Sequence, residues 1–379
     1  IIISNVSAYS SYSTQATITY FEKGIPQSST GTISGTPVSS SLYNLPSSFP
    51  LFPVNITNTQ NVATPSPFQQ MINVSASSIV WPFINNNPFG QNIEFIYPNG
   101  TVIPSWLESY SSTNAIWWIK IGSIPANSKL TIYMRVVNPS TNLFNNKTTG
   151  EAPQLSPTYA EYDNGANIFL NYFPGYSLTG WTTSGTAGVT NRAPSGNPIF
   201  GSHAFYANGS VGDYLYTIAS SQSNNMIIEY YAYTPLLQDL YFLVNSTGFG
   251  QMARDGNGSA YGYKWYGIIH TYSWTNWNGY GVADPSFWSN EWVTIGVLVN
   301  NGVAIMYLTP RVVPYGSEIG SNPTNSYNNV TDAGNYLGLV GDDAAGDSVI
   351  GNPMTTQYWN GIIIRAYPPN GVMPSVSIG

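Results

Sequence analysis

Apolar and polar residues alternate with a period of two in several stretches of the chain, the pattern of half-buried β-strands. The alternation is clearest over residues 130–136 and over residues 93–97, which a Pro-Asn-Gly turn sequence follows. Two β-prone runs, 292–299 and 303–308, flank an Asn-Asn-Gly sequence, and Asn-Gly between such runs predicts a hairpin. Frequent Gly and Pro leave few windows for helices, and we expect one helical turn at 105–109.

The length of 379 residues exceeds one typical core, so two domains are expected. Residues 1–45 are Ser/Thr-rich and contain β-prone runs near 1–7 and at 16–21. The stretch 148–159 contains Gly150, Pro153 and Pro157 and is a predicted linker. The sequence therefore predicts an all-β chain with two β-sandwich or jelly-roll domains, preceded by an N-terminal strand segment. The expected bounds are 1–45, 46–155 and 156–379.

Composition indicates an unusual surface. Charged residues make up 7% of the chain and aromatic residues 15%, whereas an ordinary domain is about a quarter charged. The surface must therefore be solvated by neutral Asn, Ser, Thr, Gln and Tyr groups. Such a surface changes little with pH, which favours an extracellular or cell-surface location in an acidic habitat. A start at Ile1 instead of Met favours a processed N-terminus.

Three features of the composition exclude kinds of partner or site: the small number of basic residues, the short apolar runs and the absence of Cys. The net charge is −7 with 10 Lys and Arg residues, which argues against nucleic acid because phosphate binding needs clustered cations. No apolar run approaches the roughly 20 residues of a spanning helix, so direct membrane insertion is not expected. The absence of Cys excludes disulfides, thiolate metal sites and Cys catalysis.

Three stretches resemble a β-rich domain of unknown function found in large archaeal surface proteins, namely residues 61–72, 103–109 and 150–157. The tail, residues 365–377, resembles the end of the concanavalin/laminin-G-like β-sandwich that often follows that domain. The resemblance covers residues 50–379 and implies a concanavalin-like jelly roll for 156–379. It implies a secreted archaeal origin and no particular activity, because fold alone does not give function.

Candidate catalytic residues are few. His203 and His270 are the only histidines, and no catalytic motif surrounds either. Concanavalin-like glycosidases place Glu-x-Asp-x-x-Glu on one strand; the nearest sequence here, Glu161-Tyr162-Asp163, lacks the second Glu. Glu229 and Glu291 stand alone in apolar runs. We therefore predict that the chain is not an enzyme, with a glycosidase as the least favoured alternative.

Acidic residues concentrate between Gly341 and Asp347. Asp342, Asp343 and Asp347 supply hard oxygen ligands on a glycine-containing segment, which is the chemistry of a Ca²⁺ site. The simpler interpretation, which we favour, is a solvated turn between two strands. No other cofactor is expected.

The densest aromatic region is 261–292. Trp274 and Trp277 lie in a polar stretch beside Asn276 and Asn278, and flat rings next to amides are typical of sugar-binding sites. The same rings are equally suited to fill a core or a subunit interface. A lectin-like carbohydrate-binding module is therefore the alternative function.

Nine Asn-x-Ser/Thr sequences are acceptor sites for N-linked glycans, which would add hydrophilic cover that charge does not supply. They are Asn5, Asn55, Asn73, Asn99, Asn146, Asn208, Asn245, Asn257 and Asn329.

The N-terminal segment is β-prone and its first run lacks charge, so alone it is an aggregation hazard. Its apolar positions either complete the chain's own sheet or add as a strand to a neighbouring subunit, and repeated addition produces a filament. These positions are Ile1, Ile2, Ile3, Val6, Ile18 and Tyr20. The sequence thus predicts a glycosylated extracellular structural or adhesion protein that assembles with itself, as a homopolymer, or with other surface proteins and glycans.

Overall fold

The computed structural model describes residues 12–22, 25–35, 50–84, 86, 88–208, 213–218, 225–234, 241–243, 249–252, 261–265, 278–280, 291–300, 303–309, 312–317, 323–328, 336–340 and 356–379. Strands dominate this part of the chain, which confirms the predicted all-β class. Its helical content is one short α-helix, α1 (Gly165–Ile168), and 3-10 turns at Trp81–Phe83 and Pro369–Gly371.

The N-terminal segment contains β1 (Tyr12–Glu22) and β2 (Ile25–Gly35). The next eight strands are β3 (Leu51–Asn58), β4 (Phe68–Ser75), β5 (Ile93–Ile96), β6 (Val102–Ile103), β7 (Ser105–Tyr110), β8 (Asn114–Ile121), β9 (Ser128–Val136) and β10 (Thr149–Glu151).

The remaining strands are β11 (Asn171–Phe173), β12 (Trp181–Ser184), β13 (Ala187–Thr190), β14 (Ala204–Ala207), β15 (Tyr214–Ile218), β16 (Asn225–Thr234), β17 (Tyr241–Leu243), β18 (Phe249–Met252), β19 (Tyr261–Trp265), β20 (Asn278–Tyr280), β21 (Glu291–Asn300), β22 (Val303–Thr309), β23 (Pro323–Asn328), β24 (Tyr336–Val340), β25 (Gln357–Ala366) and β26 (Ser375–Ile378).

The first sandwich consists of a five-stranded sheet in the order β26-β3-β9-β5-β6 and a four-stranded sheet in the order β10-β7-β8-β4. Alternate residues of β3, Phe52, Val54 and Ile56, are buried, as a strand with one face on a core requires. They pack in one cluster with Ile72 and Trp117 of the facing sheet.

The second sandwich consists of an eight-stranded sheet, β13-β14-β25-β16-β21-β22-β23 with β11 also paired to β25, and a seven-stranded sheet, β12-β15-β24-β17-β18-β19-β20. Its core brings Phe205, Ile228 and Ile295 of the larger sheet against Leu215 and Leu339 of the smaller one. Both sheets contribute inward-facing residues, as in other face-to-face sandwiches.

Several predicted strands are confirmed. The Asn-Gly hairpin is formed by β21 and β22, which pair antiparallel with Asn300 opposite Val303. The runs at 130–136 and 93–97 lie in β9 and β5, and the run at 16–21 lies in β1. β1 pairs antiparallel with β2 along its whole length, from Glu22 opposite Ile25 to Tyr12 opposite Gly35.

The predicted helical turn at 105–109 is wrong, because these residues form β7. Leu107 belongs to the core of the first sandwich, whereas Trp106 belongs to a second cluster on the other side of the sheet. A strand directs successive side chains to opposite faces and so fills both clusters, which a helical turn would not do.

The stretch 148–159 is packed structure and not a free linker. It contains β10, which pairs in parallel with β7, and the buried side chain of Ala152 joins the cluster that contains Trp106. The chain also returns to the first sandwich at its last strand, because β26 pairs antiparallel with β3. The two sandwiches are therefore connected at several separate places.

An irregularity in β25 lies close to these connections. The register between β16 and β25 shifts between Glu229 and Tyr231. Gly361 of β25 has φ of +59°, a left-handed conformation that favours glycine. A side chain on Gly361 would overlap the Phe200 ring and the Tyr315 hydroxyl.

Candidate functional site

The two sandwiches share a buried aromatic cluster. Trp106 and Trp118 of the first sandwich, both with no exposed surface, pack with Phe169, Tyr231 and Tyr315 of the second. The Trp106 and Phe169 rings meet edge to face with centroids 5.6 Å apart. These contacts exist because β7 and β8 carry apolar residues on both faces.

Two buried glutamates, one from each sandwich, enter this cluster. Glu108 of β7 accepts hydrogen bonds from the Trp118 Nε1 and from the Tyr315 backbone N, each 2.8 Å long. Glu229 of β16 accepts the next backbone N–H, that of Gly316, at 2.5 Å. Successive peptide groups of one loop thus bind carboxylates from both sandwiches.

Arg365 of β25 completes the network. Its guanidinium is 1% exposed and forms an ion pair with Glu229, which is fully buried. The same guanidinium lies over the Trp118 ring, 5.3 Å from its centroid. Arg365 therefore joins a charge of the second sandwich to an aromatic ring of the first.

Burial raises the pKa of Glu108 to about 8, and the nearby charge of Glu229 acts in the same direction. The hydrogen bonds from Tyr315 and Trp118, together with the charge of Arg365, lower the pKa, but this effect is smaller than the rise caused by removing the carboxyl group from water. At neutral pH Glu108 is mainly protonated, so it adds little net charge to the cluster.

Asp163 forms a second polar centre beside the first. It accepts hydrogen bonds from Trp106 Nε1 at 3.0 Å, from the Tyr172 hydroxyl at 2.9 Å, from the Tyr176 hydroxyl at 3.0 Å and from the Gly165 backbone N at 3.1 Å. Burial raises the pKa of this carboxyl to about 6 in spite of these four donors. Trp106 and Tyr172 thereby connect the two sandwiches a second time.

The Glu161-Tyr162-Asp163 sequence does not form a strand. It lies in a turn region, where Glu161 is exposed while Asp163 points into the polar centre just described. The two carboxylates therefore do not flank a common cleft on one strand, as the glycosidase arrangement requires.

The network as a whole is enclosed. Glu108 and Glu229 have no exposed surface, and each accepts hydrogen bonds from the protein's own donors. A general acid or base has to reach the substrate atom that it protonates or deprotonates. In this conformation the two glutamates can hold strands together but cannot reach a substrate.

Five of the predicted glycan acceptors lie in the described residues. Asn73, Asn99 and Asn146 are exposed. Asn55 and Asn208 are half-buried, and their Oδ1 atoms accept hydrogen bonds from Thr131 and Thr356, each 2.8 Å long. The other four acceptors lie outside the described residues: Asn5, Asn245, Asn257 and Asn329.

Most of the remaining predicted site residues also lie outside the described part of the chain, namely Ile1, Ile2, Ile3, Val6, Trp274, Asn276, Trp277, Asp342, Asp343 and Asp347. Ile18 and Tyr20 lie in β1, and Asn278 begins β20. Within the described residues no group of three or more His, Asp or Glu side chains is arranged to hold a metal ion. No helix in that same part has the length and apolar character to cross a membrane.

Sequence reasoning missed Glu108, Tyr315 and Arg365. A signal was present for two of them. Arg365 directly follows three isoleucines, and Glu108 follows Trp106 and Leu107, in a chain with 10 basic and 17 acidic residues. A charge inside an apolar run is rarely left unpaired when the run is buried.

Comparisons with known proteins match a family model to part of the chain and find one curated relative. The model of a domain of unknown function, DUF2341, matches residues 89–172. The match includes two of the three stretches on which the resemblance rests, 103–109 and 150–157, and does not reach 61–72. The archaeal surface origin stays a prediction.

The chain is 33% identical over 346 residues to "Uncharacterized protein 562" of Sulfolobus islandicus rod-shaped virus 1. The alignment covers 86% of this chain and 58% of the viral protein, so the chain spans little more than half of that relative.

Among solved structures, the botulinum neurotoxin type G receptor binding domain is similar over 49% of this chain and 42% of its own, with 13% identity and a TM-score of 0.30. A putative glycosyl hydrolase from Parabacteroides distasonis is similar over 52% of this chain and 94% of its own, with 12% identity and a TM-score of 0.29. Likeness at this level assigns no activity.

Proposed function

We propose that this chain is a rigid, non-catalytic module of a glycosylated extracellular structural or adhesion protein. The observation that carries the proposal is the buried network of Glu108, Glu229 and Arg365, which joins the two sandwiches into one body. A body built in this way transmits force and keeps its surfaces in a constant relative orientation, which suits a structural subunit.

A non-catalytic role agrees with how the carboxylates are used. Glu108 and Glu229 are enclosed, and Asp163 is occupied by four donors of the protein itself. The sequence motifs of common hydrolases are absent from the chain. These enclosed acidic groups thus bind other parts of the protein, as a structural role requires.

Glycosylation is supported by exposure of the acceptors. Asn99 is exposed in a turn, where its Oδ1 accepts the Thr101 backbone N–H. Asn73 and Asn146 are exposed on β4 and on the loop before β10. Glycans at these positions would add hydration to a surface with few charges.

Self-assembly is supported by the N-terminal hairpin. β1 and β2 pair with each other, and no other strand of the described part pairs with either one. An uncovered pair of strands presents free backbone N–H and C=O groups at its edges, and such edges accept a strand from another molecule.

The assembly is tested by electron microscopy and light scattering of the native protein and of a variant that lacks residues 1–35. We expect filaments or sheets for the native protein and compact monomers for the variant. Ile79→Ser is the matched control, because it removes an exposed apolar side chain (58% exposed) outside the hairpin and leaves assembly unchanged. Assembly that survives the deletion would exclude the hairpin as the contact, and monomers in both samples would exclude self-assembly.

A further inference from the structure

An open groove of about 520 Å³ lies on the second sandwich next to the Asp163 centre, lined by Tyr176, Val189, Thr190, Asn191, Arg192 and His203. We propose that this groove binds a carboxylate-bearing sugar unit, such as a uronic acid residue of an acidic glycan. Its volume falls within the range of about 300–1,000 Å³ that is typical of small-ligand sites.

One wall of the groove is rigid and aromatic. The His203 ring stacks on Tyr159 with centroids 3.6 Å apart, and Tyr159 meets Tyr176 edge to face at 5.8 Å. The Tyr159 hydroxyl donates to the Phe200 carbonyl, and the Tyr176 hydroxyl donates to Asp163. Both phenols are therefore held before a ligand arrives, which lowers the entropy lost on binding.

Arg192 supplies the positive charge. The turn that presents it is held by a hydrogen bond from its backbone N to the Thr190 hydroxyl, 3.1 Å long. Arg192 is exposed, and within the described residues its guanidinium takes part in no ion pair. A guanidinium matches a carboxylate in two parallel hydrogen bonds, so a carboxylate is the group that fits it.

The imidazole of His203 adds a polar group but no charge at neutral pH, because burial lowers its pKa. Its Nδ1 is buried, and no described residue forms a hydrogen bond with it. Among the described residues that line the groove, Arg192 is thus the one cation, and the whole chain carries a net charge of −7. A singly charged ligand fits this balance, whereas a polyanion would be repelled by the rest of the molecule.

The other lining residues favour a sugar over a simple acid. Tyr176 offers an aromatic ring for the C–H face of a pyranose, and Thr190 and Asn191 offer a hydroxyl and an amide for its hydroxyl groups. This site does not depend on the structural role proposed above. A groove that fails to bind would leave that role unaffected.

The test is isothermal titration of the full chain with methyl galacturonoside, which carries one carboxylate, and with the neutral methyl galactoside. We expect binding of the acidic sugar to be at least about 10-fold tighter, because a hydrogen-bonded charge pair is lost with the neutral one. Arg192→Gln removes this preference. Because Arg192 is exposed, the variant should fold as the wild-type protein does, which a circular dichroism spectrum verifies.

Two further variants, a charge control and a change of the aromatic ring, test whether binding takes place in the groove. Lys129→Gln removes one exposed cation on β9, outside the groove, and leaves the affinity unchanged. Tyr176→Ala removes the ring and weakens the binding of both sugars. Equal affinity for the acidic and neutral sugars, equal effects of R192Q and K129Q, or no binding of either sugar would overturn the proposal. Acetate that binds as tightly as the methyl galacturonoside would overturn it as well.

Discussion

Replacing Arg365 by methionine should destabilise the protein strongly. The change removes the positive partner of Glu229 but keeps an unbranched apolar side chain beside Trp118 and Met373. Glu229 then stays in the core with a backbone N–H of Gly316 as a donor but without its counter-charge.

The magnitude follows from burial. Arg365 is 1% exposed and Glu229 is fully buried, and breaking such a pair from one side costs about 3–5 kcal/mol. Arg135 and Glu94 provide a matched comparison, because that ion pair includes an arginine side chain that is 41% exposed. Arg135→Met should therefore cost at most about 1 kcal/mol.

The assay is urea unfolding followed by Trp fluorescence and circular dichroism on the wild-type protein, R365M and R135M. The double variant R365M/E229M, which removes both charges, should recover part of the lost free energy of unfolding, because a buried carboxylate that has lost its arginine is the main cost. If R365M lowers the free energy of unfolding no more than R135M does, the Arg365–Glu229 pair is not important for the stability of the two sandwiches.

Two further changes test other parts of the same region. Burial raises the pKa of Glu108 to about 8, of Glu151 to about 7 and of Asp163 to about 6, so the folded protein keeps protons that the unfolded chain releases. The stability that these groups contribute is therefore fully present near pH 4 and is lost as the pH rises to 8. We expect the urea midpoint to fall over this range, and a midpoint that rises would contradict the assignment. Gly361→Ala should lower the thermal midpoint of unfolding markedly, because the new methyl group overlaps the Phe200 ring at a φ of +59°. Gly122→Ala is the control, because nothing lies within 4 Å of the added Cβ. Equal midpoints for the two variants would show that Gly361 is not constrained.

Much of the fold follows from local patterns. The alternation in β5 and β9 and the Asn-Gly sequence between β21 and β22 predict strands and a hairpin at the observed places. These features depend on neighbours within a few residues, and therefore a single sequence contains the information. The local pattern does not predict the strand at 105–109, because its apolar residues pack in two cores and the second core is formed by residues far along the chain.

The buried network could be predicted only in part. Glu229 was noticed as an isolated charge in an apolar run, but its partner Arg365 is 136 positions away. Glu108 accepts a hydrogen bond from the backbone N of Tyr315, which is 207 positions away in the sequence. Such pairs are formed by the packing of one sheet on another, and no periodicity along the chain encodes them.

The groove on the second sandwich likewise depends on residues that only folding brings together. No sequence motif connects Arg192 with His203, and they line one cavity because β13 and β14 pair side by side. The sequence by itself determined the β class, the low content of charged residues and the positions of the Asn-x-Ser/Thr sequences, since these are properties of residue types and short spacings. The tertiary structure alone decided that the two sandwiches share a core, that their carboxylates are enclosed and that one exposed arginine faces a groove, because each of these depends on strands that meet only after the chain has folded.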